Sequence, residues 1–245
     1  MALKIVTPPL TEPITISDVE AQIQFALPDD QETLVEGYIV AVRQKVELAL
    51  RRALVTQTHD LTMHEFPAPH ARNPFAAIEI PLPPLQSVTI TYLSTAGTMT
   101  ALDAADYVVD TDSTPGRVTP AYGKTWPATL DYPGAVRVQF VAGYGGPLAW
   151  DAARVYLVDE RMLYTNGTTY RKTATSAAGV LPTDATKWVV DHPGYAVPQC
   201  IRNWMLLNTA NLYENRETII IGSINSELDT LADSLLDPER WEVRV

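Results

Sequence analysis

VPQCIRNWMLLNTANLYENRE (197–217) is the stretch on which the fold turns. Pro198 suits the first turn of a helix, where its missing N–H would be unpaired anyway. Val197, Ile201, Trp204, Met205, Leu207 or Asn208, Leu212 and Tyr213 then recur at helical spacing, flanked by Gln199, Arg202, Asn203 and Asn211. About twenty residues of helix span roughly 30 Å, the width of a small domain. A helix with so broad an apolar stripe needs partners, and the opposite end of the chain offers them.

After a proline-rich lead, Ile16-Ser17-Asp18-Val19-Glu20 reads as a helix start, with Ser17 as the cap and Glu20 at the capping-box spacing. This helix is expected over Asp18–Leu27, ended by Pro28. A longer one is expected over Gln31–Ala53, with Val35, Tyr38, Ile39, Val42, Val46, Ala49 and Ala53 facing inward. Arg43, Lys45, Glu47, Arg51 and Arg52 are placed on its outer side, the cations of the last turns favouring the negative end of the helix dipole. Two N-terminal helices and the long C-terminal one make a small helical bundle.

From Val55 the period changes. Thr56–Phe66 alternates Thr58, Asp60 and Thr62 against His59, Leu61 and Met63, as a half-buried strand does. Ala77–Pro81, Val88–Leu93, Met99–Leu102, Tyr107–Asp110, Arg117–Pro120 and Ala135–Ala142 are further strands, with a hairpin turn at Ser94–Gly97. A second set of short strands is expected at Val155–Val158, Met162–Thr165, Thr169–Thr173 and Lys187–Val190, with a turn at Asn166-Gly167. The fold class expected is therefore α+β: a helical bundle built from both chain ends, interrupted by an inserted β-domain and a second small β-module. The corresponding segments are 1–54, 55–150, 151–195 and 196–245. Ser226–Leu236 carries weak helical periodicity, and Arg240-Trp241-Glu242-Val243-Arg244-Val245 alternates large apolar and charged residues. Such a tail reads either as terminal disorder or as a strand that pairs with a partner.

The chain has 245 residues, a formal charge of −11 and nineteen prolines, which cluster between 67 and 147 and favour strands and turns there. That charge disfavours nucleic-acid binding through a general basic surface. One cysteine, Cys200, leaves no intrachain disulfide and no cysteine metal cage. No apolar run has the length of a membrane span, so the expectation is a soluble protein made in a reducing compartment.

The chemistry-bearing motifs fail on spacing. His64-Glu65 with His70 lacks the one-turn separation of a zinc-binding helix, and Pro67 and Pro69 forbid that helix. Asp110-Thr111-Asp112-Ser113 with Gly116 resembles the start of a calcium loop without its later acidic ligand; a turn accounts for it. Gly143-Tyr144-Gly145-Gly146 has no Lys-Ser/Thr after it, and a bend at a strand end accounts for it as well. Neither an enzyme nor a cofactor is expected. The aromatics Tyr156, Tyr164, Tyr170 and Trp188 of the small module admit two readings: an apolar staple for a tiny β-unit, or rings presented to a sugar.

The block PLPPLQSVTITY (81–92), then DYVVDTDSTPGRVTPAYGKTWPAT (106–129), VRVQFVAGYG (136–145) and VPQCIRNWMLLNTANLYENRE (197–217) resembles the head–tail connector, or adaptor, proteins of long-tailed phages and prophages. LKIVTPPLTEPITISDVEAQI (3–23) is similar to their opening. The resemblance spans most of the chain outside 151–195 and implies a structural virion protein at the head–tail junction. Its subunits would form a homo-oligomeric ring below the portal, expected to be dodecameric, extending the channel through which DNA passes as cargo. The ring would offer a surface to the next neck or tail-completion protein. It implies a core and ring helix carrying Ile201, Trp204, Met205, Tyr213, Asn215 and Arg216, and a portal-docking tail at Arg240, Trp241, Val243, Arg244 and Val245. The 151–195 insertion departs from the family pattern and is similar to small aromatic modules of phage tail and fibre proteins. This leaves the alternative of a virion-surface glycan-binding protein, acting through Tyr164, Tyr170 and Trp188.

Overall fold

In the computed structural model the described residues are 2–145, 148–158, 160–191, 196–215 and 234–239. The architecture is α+β, and the chain divides into two compact units. One comprises 1–10 and 51–144; the other comprises 11–50 and 145–245.

The first unit is built of β-sheet. A five-stranded antiparallel sheet contains β1 (Ala2–Thr7), β2 (Gln57–Met63), β4 (Leu85–Leu93), β5 (Met99–Ala101) and β8 (Val136–Ala142), in the order β1-β2-β8-β4-β5. A three-stranded sheet contains β3 (Ile78–Ile80), β6 (Tyr107–Asp110) and β7 (Gly116–Pro120), in the order β3-β7-β6. Alternation fixes which side is buried. On β2, Gln57, His59, Leu61 and Met63 are buried and Thr58, Asp60 and Thr62 are not. On β8, Val136, Val138, Phe140 and Ala142 are buried, and they face Met63, Leu61, His59 and Gln57 in register. Both sheets share one apolar core, in which Leu61, Ile90, Val138 and Phe140 meet Ile78, Ile80, Tyr107 and Val118. At Gly116 an added Cβ would stand 2.6 Å from Leu85, so the backbone there lies directly against that side chain.

β1 was not expected: the lead reads as proline-rich approach to a helix, yet Ala2–Thr7 pairs along β2 before Pro8 and Pro9 end it. All six of its residues are exposed, so little burial marks it in the sequence pattern.

The second unit holds the helices α1 (Ile16–Ile23), α2 (Asp29–Leu50) and α3 (Gln199–Glu214), with α3 packed against both α2 and α1. The cap of α1 corrects the sequence reading by two residues. Thr15, not Ser17, accepts from the Asp18 N–H at 3.2 Å, and the Asp18 carboxylate accepts the Thr15 N–H at 2.7 Å. Glu20 does different work, accepting the N–H of Leu27 at 2.8 Å. The helix stops at Ile23 because Gln24 takes a left-handed conformation, four residues before Pro28.

On α2, Val35, Ile39, Val42, Val46 and Leu50 are buried. So is Arg43, which the sequence reading had placed outside. The helix ends at Leu50, and Arg51, at φ +52°, lies beyond it; no cation occupies the last turn, contrary to expectation. On α3 the buried residues are Ile201, Trp204, Met205, Thr209 and Ala210, while Leu207 and Leu212 stay about two-fifths exposed. The expected stripe therefore holds in the first two turns and shifts in the last, where small residues sit against the neighbouring helices.

Gly37, in the middle of α2, has no atom within 4 Å of where a Cβ would stand. Gly37→Ala is expected to stabilise the chain by about 1 kcal/mol through helix propensity alone. A urea titration reads this as a higher midpoint at unchanged slope; a lower midpoint would reveal a contact at that position.

The small β-unit lies within the second unit as β12-β11-β10-β9: β9 (Leu148–Ala149), β10 (Arg161–Leu163), β11 (Thr169–Lys172) and β12 (Trp188–Val190). β10 and β11 form the expected hairpin, with Gly167 at φ +79°. Val155–Val158 is not a strand. Carboxylates tie this segment into local turns: Asp151 accepts the N–H of Ala153, and Glu160 accepts that of Leu157. The parallel partner of β10 is instead β9.

Candidate functional site

The residues singled out in the sequence fall into three groups. In the first, Ile201, Trp204 and Met205 are core residues of the helical unit, each no more than 2% exposed. Lys45 holds its ammonium 5.5 Å from the centre of the Trp204 ring, a cation–π arrangement. Tyr213 is half-buried, and its hydroxyl donates to Gln31 Oε1 at 2.8 Å, tying the end of α3 to the start of α2. Asn215 caps α3 through its N–H on the Asn211 carbonyl. Arg216 lies outside the described residues. These side chains position the helices; they do not converge on a reaction centre.

The outward side of α2 is the more informative surface. Leu34, Gly37, Ala41, Gln44 and Leu48 recur at alternating spacings of three and four, and all are exposed. Leu48 is 80% exposed, a high value for a leucine on a long helix. The spacing is that of a helix–helix seam, small in the middle and apolar at both ends.

In the second group, the aromatics of the small module are packed together. Trp188 is 2% exposed, its ring edge-on to Tyr156 at 5.4 Å between centroids. On its face lies the Lys172 ammonium, 4.3 Å from the ring centre and hydrogen-bonded to the Ser176 hydroxyl. Lys172 is itself buried. Burial chiefly, with Lys187 adding repulsion against the pull of Asp184, lowers its pKa below the ordinary lysine value. Tyr164 and Tyr170 are half-buried and pack edge-on to each other; Trp150 packs edge-on to Tyr164. The staple arrangement accounts for these contacts, and Trp188 presents almost no surface to a ligand.

The third group, Arg240, Trp241, Val243, Arg244 and Val245, lies outside the described residues, as does most of the weak helix at 226–236.

An open cavity of about 1040 Å³ on the sheet unit brings His64, Glu65, His70, Arg72, Asp110 and Arg117 to one surface. These include the residues of the failed zinc motif. Among the described residues no group of histidine, cysteine and carboxylate side chains has the geometry to hold a metal. Asp110 is engaged in its own turn: the Ser113 hydroxyl chiefly, and the N–H groups of Ser113 and Asp112 at 3.1 Å each, donate to its carboxylate and lower its pKa. Glu79 and Arg117 pair at 3.7 Å in solvent, a contact of little energetic weight.

His59 is the one buried imidazole among the described residues. It is 6% exposed, stacked on Phe140 at 5.3 Å, and its Nε2 has no hydrogen-bond partner. Burial pushes its pKa below the ordinary value of 6.5. Below that value the unfolded chain takes up a proton that the folded chain refuses, so this stability is present above about pH 6.5 and is lost as pH falls through the folded value. Urea midpoints should therefore drop between pH 7.5 and 5.5 in the natural chain and drop less in His59→Phe. Equal slopes would show that the buried imidazole accommodates its charge.

No family model matches the chain, and no curated protein matches it. Solved structures do. A chain in the neck of an empty GTA particle, computed with C6 symmetry, superposes with a TM-score of 0.64 at 16% identity. A chain in the virion of a native gene transfer agent (GTA) particle gives 0.61 at 16%, and one in the neck of a native GTA particle, computed with C12 symmetry, gives 0.59 at 17%. Each alignment covers 100% of this chain and 97% of the other, so the likeness is of the whole fold, small module included.

Proposed function

We propose that this chain is a structural virion protein of the head–tail neck, a connector that assembles as a ring below the portal and carries the next neck or tail protein. The observation that carries this reading is the end-to-end correspondence of fold with chains from GTA neck structures. Cyclic symmetry in those structures favours a closed ring of copies, and a dodecamer is the stoichiometry proposed. The chain acts as scaffold and not as enzyme. Its formal charge of −11 suits a conduit that passes DNA without gripping phosphate.

Ring closure needs two different surfaces on each copy. The exposed sides of α2 and α3 are proposed as such surfaces, with Leu34, Gly37, Ala41, Gln44 and Leu48 on α2 as the seam. The proposed portal anchor is the tail at Arg240–Val245, whose alternation suits strand addition. The glycan-binding alternative gains no support from Trp188, which is enclosed by Tyr156 and Lys172.

The test is co-expression with the portal protein of the same genome, using the full chain and a version truncated after Asp237, followed by pull-down and imaging. Rings on the portal with the full chain alone support both the connector and its anchor. Binding by both versions keeps the connector and moves the anchor to the helices. Folded protein that binds in neither form overturns the reading.

A further inference from the structure

Among the described residues the five-stranded sheet has two open edges, and the β5 edge is undefended. Outside β1 and outside β5 no further strand is paired among the described residues. Monomeric proteins blunt such edges with proline, bulges or charge. Residues 94–102, which hold β5, contain no charge and no proline. β1 carries a single charge, Lys4, in register with Asp60, and its register is irregular only between Ile5 and Thr7, so Ala2–Ile5 runs as a regular edge.

The faces of the two edges also match. Leu3 and Ile5 are in register with Leu61 and His59, so they share the buried side of the sheet. Leu61 and His59 are 1% and 6% exposed, whereas Leu3 and Ile5 are 45% and 47% exposed. The apolar side of the sheet thus runs on past what the described residues cover. At the other edge, Thr100 is in register with Tyr92, which lies opposite the buried Val136. Thr100 and Leu102 therefore continue that same side. Ser94 donates to the Thr98 carbonyl and Leu102 to the Ile90 carbonyl. By alternation, the N–H and C=O groups of Met99 and Ala101 face away from β4 and are available to another strand.

Strand direction selects the occupant. Each of the four pairings from β1 to β5 is antiparallel, so β1 and β5 run the same way. A copy related by rotation about a ring axis brings its β1 beside β5 of its neighbour in parallel. That is a head-to-tail contact, repeated around the ring and closing it. An antiparallel β1–β1 or β5–β5 contact would instead stop at a dimer.

We infer that β5 of one copy pairs in parallel with β1 of the next, joining the sheets into one continuous belt and covering Leu3 and Ile5. The inference rests on the ring reading above and adds a second inter-copy contact to it.

The full chain with Cys200→Ser, co-expressed with the portal, is fitted with Leu3→Cys, Thr100→Cys or both, and treated with a short bis-maleimide. The double variant is expected to give a cross-linked ladder beyond the dimer, and each single variant to remain monomeric. Adding Ala101→Pro, at a position whose N–H faces outward, is expected to abolish the ladder at an unchanged melting temperature. Dimers from a single variant would overturn the pairing in favour of like edges meeting. Rings on the portal without a ladder would overturn the pairing and leave the connector intact. Neither rings nor ladder would overturn both.

Discussion

Replacing Gly143 by alanine is expected to remove a large part of the stability of the sheet unit. Gly143 follows β8 at φ +130°, where side chains are strained. An added Cβ would stand 2.5 Å from the Val55 carbonyl carbon, 2.6 Å from its oxygen and 2.7 Å from the Thr56 nitrogen. These are backbone atoms, so no rotamer change relieves the clash. The glycine is also held in place: its N–H donates to the Pro84 carbonyl at 2.9 Å, and its carbonyl accepts from Gln86 Nε2 at 2.8 Å. Backbone strain costs about 1–3 kcal/mol, and forced expansion of a packed site about 1–3 kcal/mol more. Against a typical total of about 5–15 kcal/mol, such a loss moves the unfolding midpoint far down. Gly97 is the control. It has φ +78° in the β4–β5 turn and open space around it, so Gly97→Ala should cost the backbone strain alone. Equal losses at both sites in urea titrations would show that contact with Val55 is not the cause.

This glycine lies in a segment that the sequence marks as a bend at a strand end and no more. The bend is legible in Gly143-Tyr144-Gly145-Gly146, but the approach of residues 55 and 56, far away in the chain, is not. The same division runs through the fold. β2 was readable down to its alternation, and β8 as a strand, because burial on one side imposes a period of two. The first turns of α3 were readable because Ile201, Trp204 and Met205 make a compact apolar face. β1 was hidden because its apolar residues are half exposed, and no burial pattern marks a strand that the described residues leave uncovered. The two-residue β9 is too short to carry a period, and Val155–Val158, apolar enough for a strand, has its Leu157 N–H taken by the Glu160 carboxylate instead of a neighbouring strand.

Residue roles were less legible than elements. Trp188 admits both a ring for a sugar and a staple, since both need a large aromatic in a small module. What separates them is the Lys172 ammonium over one face and Tyr156 at the edge, contacts between residues sixteen and thirty-two positions away. The row of exposed residues on α2 is hard to pick out in the sequence for a different reason. A glycine, an alanine and a glutamine between Leu34 and Leu48 do not register as an apolar stripe, and only their common exposure opposite the buried side of the helix brings them out as a row.

Arg43 is the other position where a single change should have a large effect. Its pattern of neighbours placed it on the solvent side of α2, yet its side chain is 7% exposed. The guanidinium donates through Nε to Glu12 at 2.7 Å and through Nη1 to Glu47 at 2.8 Å. Glu47 is one helical turn away, whereas Glu12 is thirty-one residues back, in the segment that leads into α1. The arginine thus fixes how the chain enters the first helix, which packs on α3. Arg43→Ala removes the cation that lies between two partly enclosed carboxylates, a loss of about 3–5 kcal/mol by analogy with other broken buried pairs. The pH dependence identifies the cause. Burial, set against the pull of Arg43, already raises the Glu12 carboxyl above its ordinary range. Without the arginine, Glu12 binds protons still more readily in the folded state, so the deficit should be largest near pH 7 and shrink towards pH 5. Arg43→Met combined with Glu12→Gln and Glu47→Gln should recover most of the loss, because the packing remains and no charge is left unpaired. Helical ellipticity followed through urea unfolding at both pH values reads all of this. A deficit that is the same at pH 7 and pH 5 would mean that the arginine's hydrocarbon stem, and not its charge, holds α1 against the bundle.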